Sequence, residues 1–284
     1  MFRALAYAVV LALVGGAAAG CGRLPEIAAG ALLHPTRRTE LPVRPNNCEN
    51  RDYRSTDVTL RGWACSAEGP RRGAIIFLHG IADNRGSAVG TILRFTAAGF
   101  DVIAYDSRAH GTSEGDVCTY GYLEKADLRR VIDGLAPGPV IVIGTSLGAA
   151  VAIQAAAEDQ RISGVVAAEV FADLESVARD RAPRLMPEGM IREAFAIAEE
   201  RGRFRVGAVS PEMAARSIRV PVLLIHGERD AETPPNHSRR VFDALPGLKQ
   251  LLFVTGAGHN QSLHKPETWN VIDRWIADVV RGES

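Results

Sequence analysis

The sequence predicts an α/β fold, a mostly parallel central sheet flanked by helices, and three observations carry that reading. Six short apolar runs, at 74–78, 102–105, 140–143, 165–168, 222–225 and 251–254, lack the alternation of a half-exposed strand. Such runs read as strands buried on both faces, the usual condition of parallel strands. Segments of helical length separate them, so strand and helix alternate as they do in crossover units. The apolar fraction of 46% supplies a sizeable core.

A chain of 284 residues accommodates one large α/β domain or two small ones. Lys+Arg and Asp+Glu both total 33, so no overall field favours nucleic acid or another polyanion.

Residues 1–20 are a different material. Arg3 is their only charge, 4–14 is an unbroken apolar run, and 15–20 is glycine and alanine alone. A basic start, an apolar middle and small residues before a processing point describe an export signal. The run then meets Cys21, and Ala18-Ala19-Gly20-Cys21 resembles a bacterial lipobox, with Ala18 where leucine is usual. That resemblance implies a lipidated Cys21 as the mature N-terminus and a protein held at a membrane. Two other readings stay open. One is cleavage after Ala19, giving a soluble secreted or periplasmic protein. The other is an uncleaved single-pass anchor, for which the run is slightly short of the roughly 20 residues a bilayer needs. With Cys21 so used, Cys48, Cys65 and Cys118 remain, and an oxidising compartment lets one pair bridge. Cys48 with Cys65 is the more local choice, and an inert buried thiol is the alternative for each. No pair has metal-ligand spacing, so no metal is expected.

The segment 21–52 contains Pro25, Pro35, Pro42, Pro45 and the pair Arg37-Arg38, without lasting periodicity, and reads as a tether. The folded domain is expected to span 53–284. Alternation through 57–60 and then 62–65 suggests a strand pair at a sheet edge. The first buried strand, 74–78, ends in His79-Gly80-Ile81-Ala82-Asp83-Asn84, and a helix then reaches Ala98, capped by Gly99. Strand 102–105 ends in Asp106-Ser107-Arg108-Ala109-His110-Gly111-Thr112-Ser113, and helix 123–135 leads through Pro137-Gly138-Pro139 into strand 140–143.

That strand runs straight into Gly144-Thr145-Ser146-Leu147-Gly148 and an alanine-rich helix. In so tight a turn a Cβ at Gly144 or Gly148 would collide, and Ser146 is left at the tip above unpaired helix N–H groups. About fifty residues separate strands 165–168 and 222–225, whereas αβ loops usually take ~2 to 6 residues. The excess, about 170–218, holds Phe171, Leu174, Leu185, Met186, Met190, Ile191, Phe195 and Phe204, broken by Pro183, Pro187 and Gly189. Two readings compete: a helical cap whose apolar side lines an acyl pocket over Ser146, or extra helices packed on the sheet. Strand 222–225 ends in His226-Gly227-Glu228-Arg229-Asp230 and Thr233-Pro234-Pro235, strand 251–254 in Gly256-Ala257-Gly258-His259-Asn260. A closing amphipathic helix, 265–280, turns Trp269, Ile272, Trp275 and Ile276 inward.

The G-x-S-x-G pattern between strand and helix resembles the nucleophile elbow of the α/β-hydrolase superfamily, and the resemblance extends from about Tyr53 to the end. It implies the α/β-hydrolase fold. Its site would have Ser146 as nucleophile, His259 as base and Asp230 as acid, in the superfamily's chain order, each at the C-terminal end of a strand. The His79-Gly80 dipeptide resembles the oxyanion loop, which makes the N–H groups of Ile81 and Leu147 the oxyanion donors. The loop 106–113 resembles D-x-R-G-x-G-x-S, with Ala109 where glycine is usual, and implies bracing roles for Asp106, Arg108 and His110. Asp173 and Glu228 are rivals for the acid, and His226, His237 and His264 for the base. Serine is a feeble nucleophile until a base within about 3 Å takes its proton, and imidazole titrates near the working pH. The resemblance therefore implies a serine hydrolase acting on a small-molecule carboxylic ester, with or without a long acyl chain, through an acyl-enzyme. A fatty-acyl thioesterase and a small serine peptidase of the same fold are the near alternatives, and a non-catalytic binding protein is the distant one. Serine at the elbow argues against a dehalogenase, and without a strand-helix G-x-G-x-x-G no dinucleotide cofactor is expected. The natural substrate and the oligomeric state stay open.

Overall fold

The computed structural model describes residues 23–183 and 185–282. The export-signal segment and Cys21 lie outside the described residues, and no described helix is long and apolar enough to cross a membrane. Eight described strands form one sheet: β1 (Cys48–Arg54), β2 (Thr59–Cys65), β3 (Gly73–Leu78), β4 (Phe100–Tyr105), β5 (Val140–Thr145), β6 (Ile162–Ala168), β7 (Val222–Gly227) and β8 (Lys249–Val254). Their order is β1-β2-β4-β3-β5-β6-β7-β8. The pairs β1/β2 and β2/β4 are antiparallel, and every later pair is parallel. The expected strand pair begins earlier than the alternation suggested. Its first member is β1, before residue 57, and 57–65 contributes one strand, β2. A disulfide joins Cys48 to Cys65 across this pair, and Cys118 is a buried free thiol.

Successive strand residues face opposite sides of the sheet, and the two cores sort accordingly. Ile76, Leu78, Ile103, Tyr105, Val142, Val165 and Leu224 face one layer, with helices α3 (Glu124–Asp133), α4 (Leu147–Ala156) and α8 (Asn236–Ala244). Ile75, Phe77, Val102, Ile141, Ile143, Val166 and Ile225 face the other, with α2 (Val89–Ala97) and the closing helix α9 (Pro266–Arg281). Both faces of β3 and β5 are covered, which is why neither run alternates. Full burial of an Ile, Leu or Phe side chain is worth about 1.5–3 kcal/mol, so these strands hold the sheet in register and place its C-terminal loops.

The expected tether is instead structure. Helix α1 (Leu24–Leu33) opens at Pro25, and Pro25, Ala29 and Leu33 form its buried face. It packs on α6 (Glu188–Gly202), where a Cβ on Gly202 would lie 2.8 Å from Leu33 Cδ2. The chain beyond is a strap. Leu33 O accepts the Cys118 N–H at 2.8 Å, the Arg37 guanidinium donates to Ser113 O at 2.6 Å, and Asn84 Nδ2 donates to Arg38 O at 2.8 Å and Glu40 O at 3.0 Å. Periodicity failed to show α1 because its buried face is one proline, one alanine and one leucine, enough only when a partner helix covers them.

The insertion between β6 and β7 contains α5 (Leu174–Arg181), α6 and α7 (Pro211–Ala215). Its apolar residues divide. Phe171, Leu174 and Phe204 sit in the main core, whereas Leu185 is 95% exposed. The first three therefore serve packing on the sheet. Arg181 ties α5 to the loop after β7 by donating to Glu232 O at 3.0 Å and Thr233 Oγ1 at 2.8 Å.

Candidate active site

Strand β5 delivers Ser146 at φ 49° and ψ −110°, a left-handed backbone that an L-residue adopts only under constraint. The constraint is visible. The Ser146 N–H donates to Ala168 O at 2.8 Å, and α4 begins at the next residue. A Cβ on Gly144 would lie 2.3 Å from Gly148 O, and one on Gly148 would lie 2.1 Å from Leu78 O. No side chain fits at either place, so glycine at both permits the sharp return of helix onto sheet.

Three loops converge on this serine. His259 Nε2 lies 3.0 Å from Ser146 Oγ, and His259 Nδ1 lies 2.7 Å from Asp230 Oδ2. A carboxylate can only accept, so Nδ1 carries the proton and Nε2 accepts from the serine hydroxyl. Asp230 Oδ1 accepts the N–H groups of Glu232 and Thr233, both at 2.9 Å, and His226 Nε2 stands 3.2 Å from Oδ2. Burial raises the Asp230 carboxyl, but the hydrogen bonds from His226 and His259 and the charge of His259 outweigh it. The group is held far below the ordinary carboxylate range. It stays ionised and fixes the imidazole tautomer.

The loop after β3 lies beside the elbow, with the Cβ position of Gly80 3.7 Å from Ser146 Cβ. Among the described residues no hydrogen-bond acceptor stands against the Ile81 or the Leu147 N–H. The His79 side chain faces away from the chemistry. It is fully buried, its Nδ1 donates to Gly80 O at 2.7 Å, and its Nε2 accepts the Ser107 N–H at 3.0 Å. Burial lowers its basicity, and it shapes the loop as a neutral ring. Asp106 receives Arg85 N at 2.8 Å and Thr112 N at 2.9 Å and pairs with the Arg85 guanidinium, while Arg108 pairs with Asp127 at 2.7 Å. These groups brace loops and touch neither Ser146 nor His259.

The rivals are placed elsewhere. Asp173 caps α5, accepting Ser176 N at 2.7 Å and Arg240 at 2.7 Å. Glu228 and His264 are exposed. His237 bonds Asp180 at 2.9 Å. His226 is near the site but turned from the serine, with Nδ1 2.6 Å from Ser238 Oγ and Nε2 2.8 Å from Thr233 O. It supports Asp230 from behind, a role that sequence reasoning missed. Glu169, which directly follows β6 and bonds Ser262 in the histidine loop, was also missed. The available signal was a lone carboxyl directly after an apolar strand. An open cavity of about 410 Å³ between Tyr122 and α6 includes no triad residue and stands apart from this chemistry.

Comparison with known proteins agrees with this architecture. A model described as the alpha/beta hydrolase family matches residues 75–270. The uncharacterized protein YqkD of Bacillus subtilis is 30% identical over 201 residues, a stretch covering 67% of this chain and 66% of that protein. The monoacylglycerol lipase of Mycolicibacterium smegmatis is 26% identical over 251 residues, 72% of this chain and 88% of the lipase. Among solved structures, the esterase Pf2001 of Pyrococcus furiosus superposes with a TM-score of 0.66 at 24% identity, over 87% of this chain and 97% of the esterase. At that identity the superposition speaks for the fold alone.

Proposed function

Since the chain belongs to the alpha/beta hydrolase family, we propose that it is a serine hydrolase cleaving carboxylic esters through an acyl-enzyme. The observation that carries this reading is the hydrogen-bonded chain from Ser146 Oγ through His259 to Asp230, at 3.0 and 2.7 Å. His259 Nε2 takes the hydroxyl proton as Oγ attacks the ester carbonyl, and Asp230 steadies the imidazolium. The Ile81 and Leu147 N–H groups receive the developing oxyanion, each contributing about 3 kcal/mol. The imidazolium then protonates the leaving alcohol, and water, activated by the same ring, releases the acid. The lipase relative supports an ester with an acyl chain as the substrate class.

We place the protein outside the cytoplasm, held at a membrane by lipid on Cys21, on the strength of the sequence before that residue. Mass spectrometry of the exported protein tests this, and an unmodified Cys21 would end it. The catalytic reading is tested by rates on p-nitrophenyl esters of increasing chain length beside a matched thioester and an aminoacyl-naphthylamide, with fluorophosphonate labelling in parallel. Ester turnover together with labelling that disappears in Ser146→Ala is the expected result. A parent protein that neither labels nor turns over would leave a binding protein on a hydrolase fold.

A further inference from the structure

A second carboxylate lies behind the histidine. Glu169 is fully buried at the C-terminal end of β6, in a left-handed backbone with φ 52°. Two neighbouring backbone bonds hold it there. Ala168 O accepts the N–H of Ser146, and the Glu169 N–H donates to Ile225 O, both at 2.8 Å. Its side chain reaches the loop that carries His259, where Oε1 accepts the Ser262 N–H at 3.2 Å and the Ser262 hydroxyl. Oε2 is buried with no partner. A carboxyl with an unpartnered oxygen out of water is costly, and strain and orphaned polar atoms gather where a site demands them. The charges of His259 and His226 act on it, and Asp230 bonds both of those rings.

We propose that Glu169 is a positioning residue for His259, fixing the histidine loop through Ser262 and opposing the positive charge that the imidazole acquires when it takes the serine proton. Asp230 orients the ring from Nδ1, and Glu169 supplies a second negative group that needs no direct bond to it. Burial holds the Glu169 carboxyl above its ordinary value, and Ser262 and the two histidines offset only part of that rise. The backbone strain belongs to the same device, because φ 52° aims the side chain at the histidine loop.

This inference rests on the hydrolase reading for its kinetic test but not for its spectroscopic one. Glu169→Gln keeps the shape and an acceptor for Ser262 while removing the charge. With p-nitrophenyl butyrate, kcat is expected to fall about tenfold with KM within about twofold, as losses of supporting contacts behind a first ligand or base do. The acid limb of kcat/KM should move about one unit to lower pH, since a lost negative neighbour makes the imidazolium easier to deprotonate. Ser262→Ala, which removes the hydroxyl bond but leaves the carboxyl and its backbone donor in place, should lower kcat with a smaller shift than Glu169→Gln. Independently of turnover, NMR titration of ¹⁵N-histidine-labelled protein, with the His259 signal identified by its loss in His259→Asn, should show the same downward displacement in Glu169→Gln. A His259 midpoint equal to the parent's overturns the proposal even if the parent hydrolyses the ester. A displaced midpoint in a parent that hydrolyses nothing upholds it and removes the hydrolase reading instead.

Discussion

At the scale of single residues, Asp230 and His110 both depend on staying deprotonated, one as an anion and the other as a neutral ring. Asp230 is ionised and matters through the tautomer it imposes. Asp230→Asn keeps the shape but lets the amide donate to Nδ1, which puts the proton on the wrong nitrogen. Its kcat on a p-nitrophenyl ester is expected to fall about 10⁴-fold with the fold intact, and a loss of only a few-fold would give the acid's role to another group. His110 is a buried neutral ring, pushed down to about 3 first by burial and then by His79, 5.1 Å away between ring centroids. Its folded value lies below the unfolded one of about 6.5, so the unfolded chain binds the extra proton. The stability that His110 contributes is complete above pH 6.5 and drains away as pH falls towards 3, by up to about 1.4 kcal/mol per pH unit. Thermal melts between pH 6.5 and 4.5, above the range in which Asp230 protonates, should show His110→Gln losing less stability over that interval than the parent. Ser146, Asp230 and His259 were legible because each sits in a loop whose small residues and order are distinctive. Glu169 was not, since nothing in its neighbours says that a serine ninety-three residues later receives it.

Elements were legible in proportion to how much of their burial is local. The parallel strands announce themselves because both faces of β3 and β5 are covered whatever lies beyond. Helix α1 does not, because three small or modest side chains become a buried face only against α6, far along the chain. Those contacts can be weighed. Leu33 is fully buried where α1 meets α6, and Leu33→Ala is expected to destabilise the protein by about 2–5 kcal/mol in a denaturant titration. A cost near zero would mean that α1 detaches without consequence for the rest. The insertion after β6 was ambiguous for a related reason: apolar side chains at helical spacing suit a pocket and a core equally, and only the covering layer decides between them.

For the molecule as a whole, the question is whether residues 23–46 belong to the fold or merely space it from something else. A spacer makes no contacts with the domain, whereas this segment is tied to it at both ends. Helix α1 holds α6 of the insertion, and the strap beyond it supplies the two carbonyls that orient Asn84, the residue closing the loop after β3, whose side chain also caps the next turn through Gly86 N at 2.8 Å. The Arg38–Asp83 pair at 3.4 Å is exposed and adds little. Removing residues 23–46 therefore uncovers Leu33's partners on α6 and frees the loop carrying Ile81. If these losses total about 3–5 kcal/mol, the melting temperature of a domain this size should drop by about 10 °C or more. On the proposed mechanism kcat of the same variant on a short-chain ester should fall with KM little changed, because a displaced Ile81 N–H would weaken the transition state more than the bound substrate. Calorimetry and ester kinetics on the shortened protein read both quantities. An unchanged melting temperature and kcat would return the segment to the role of a spacer, and a drop in stability alone would separate the α1 contact from the strap's hold on the loop after β3.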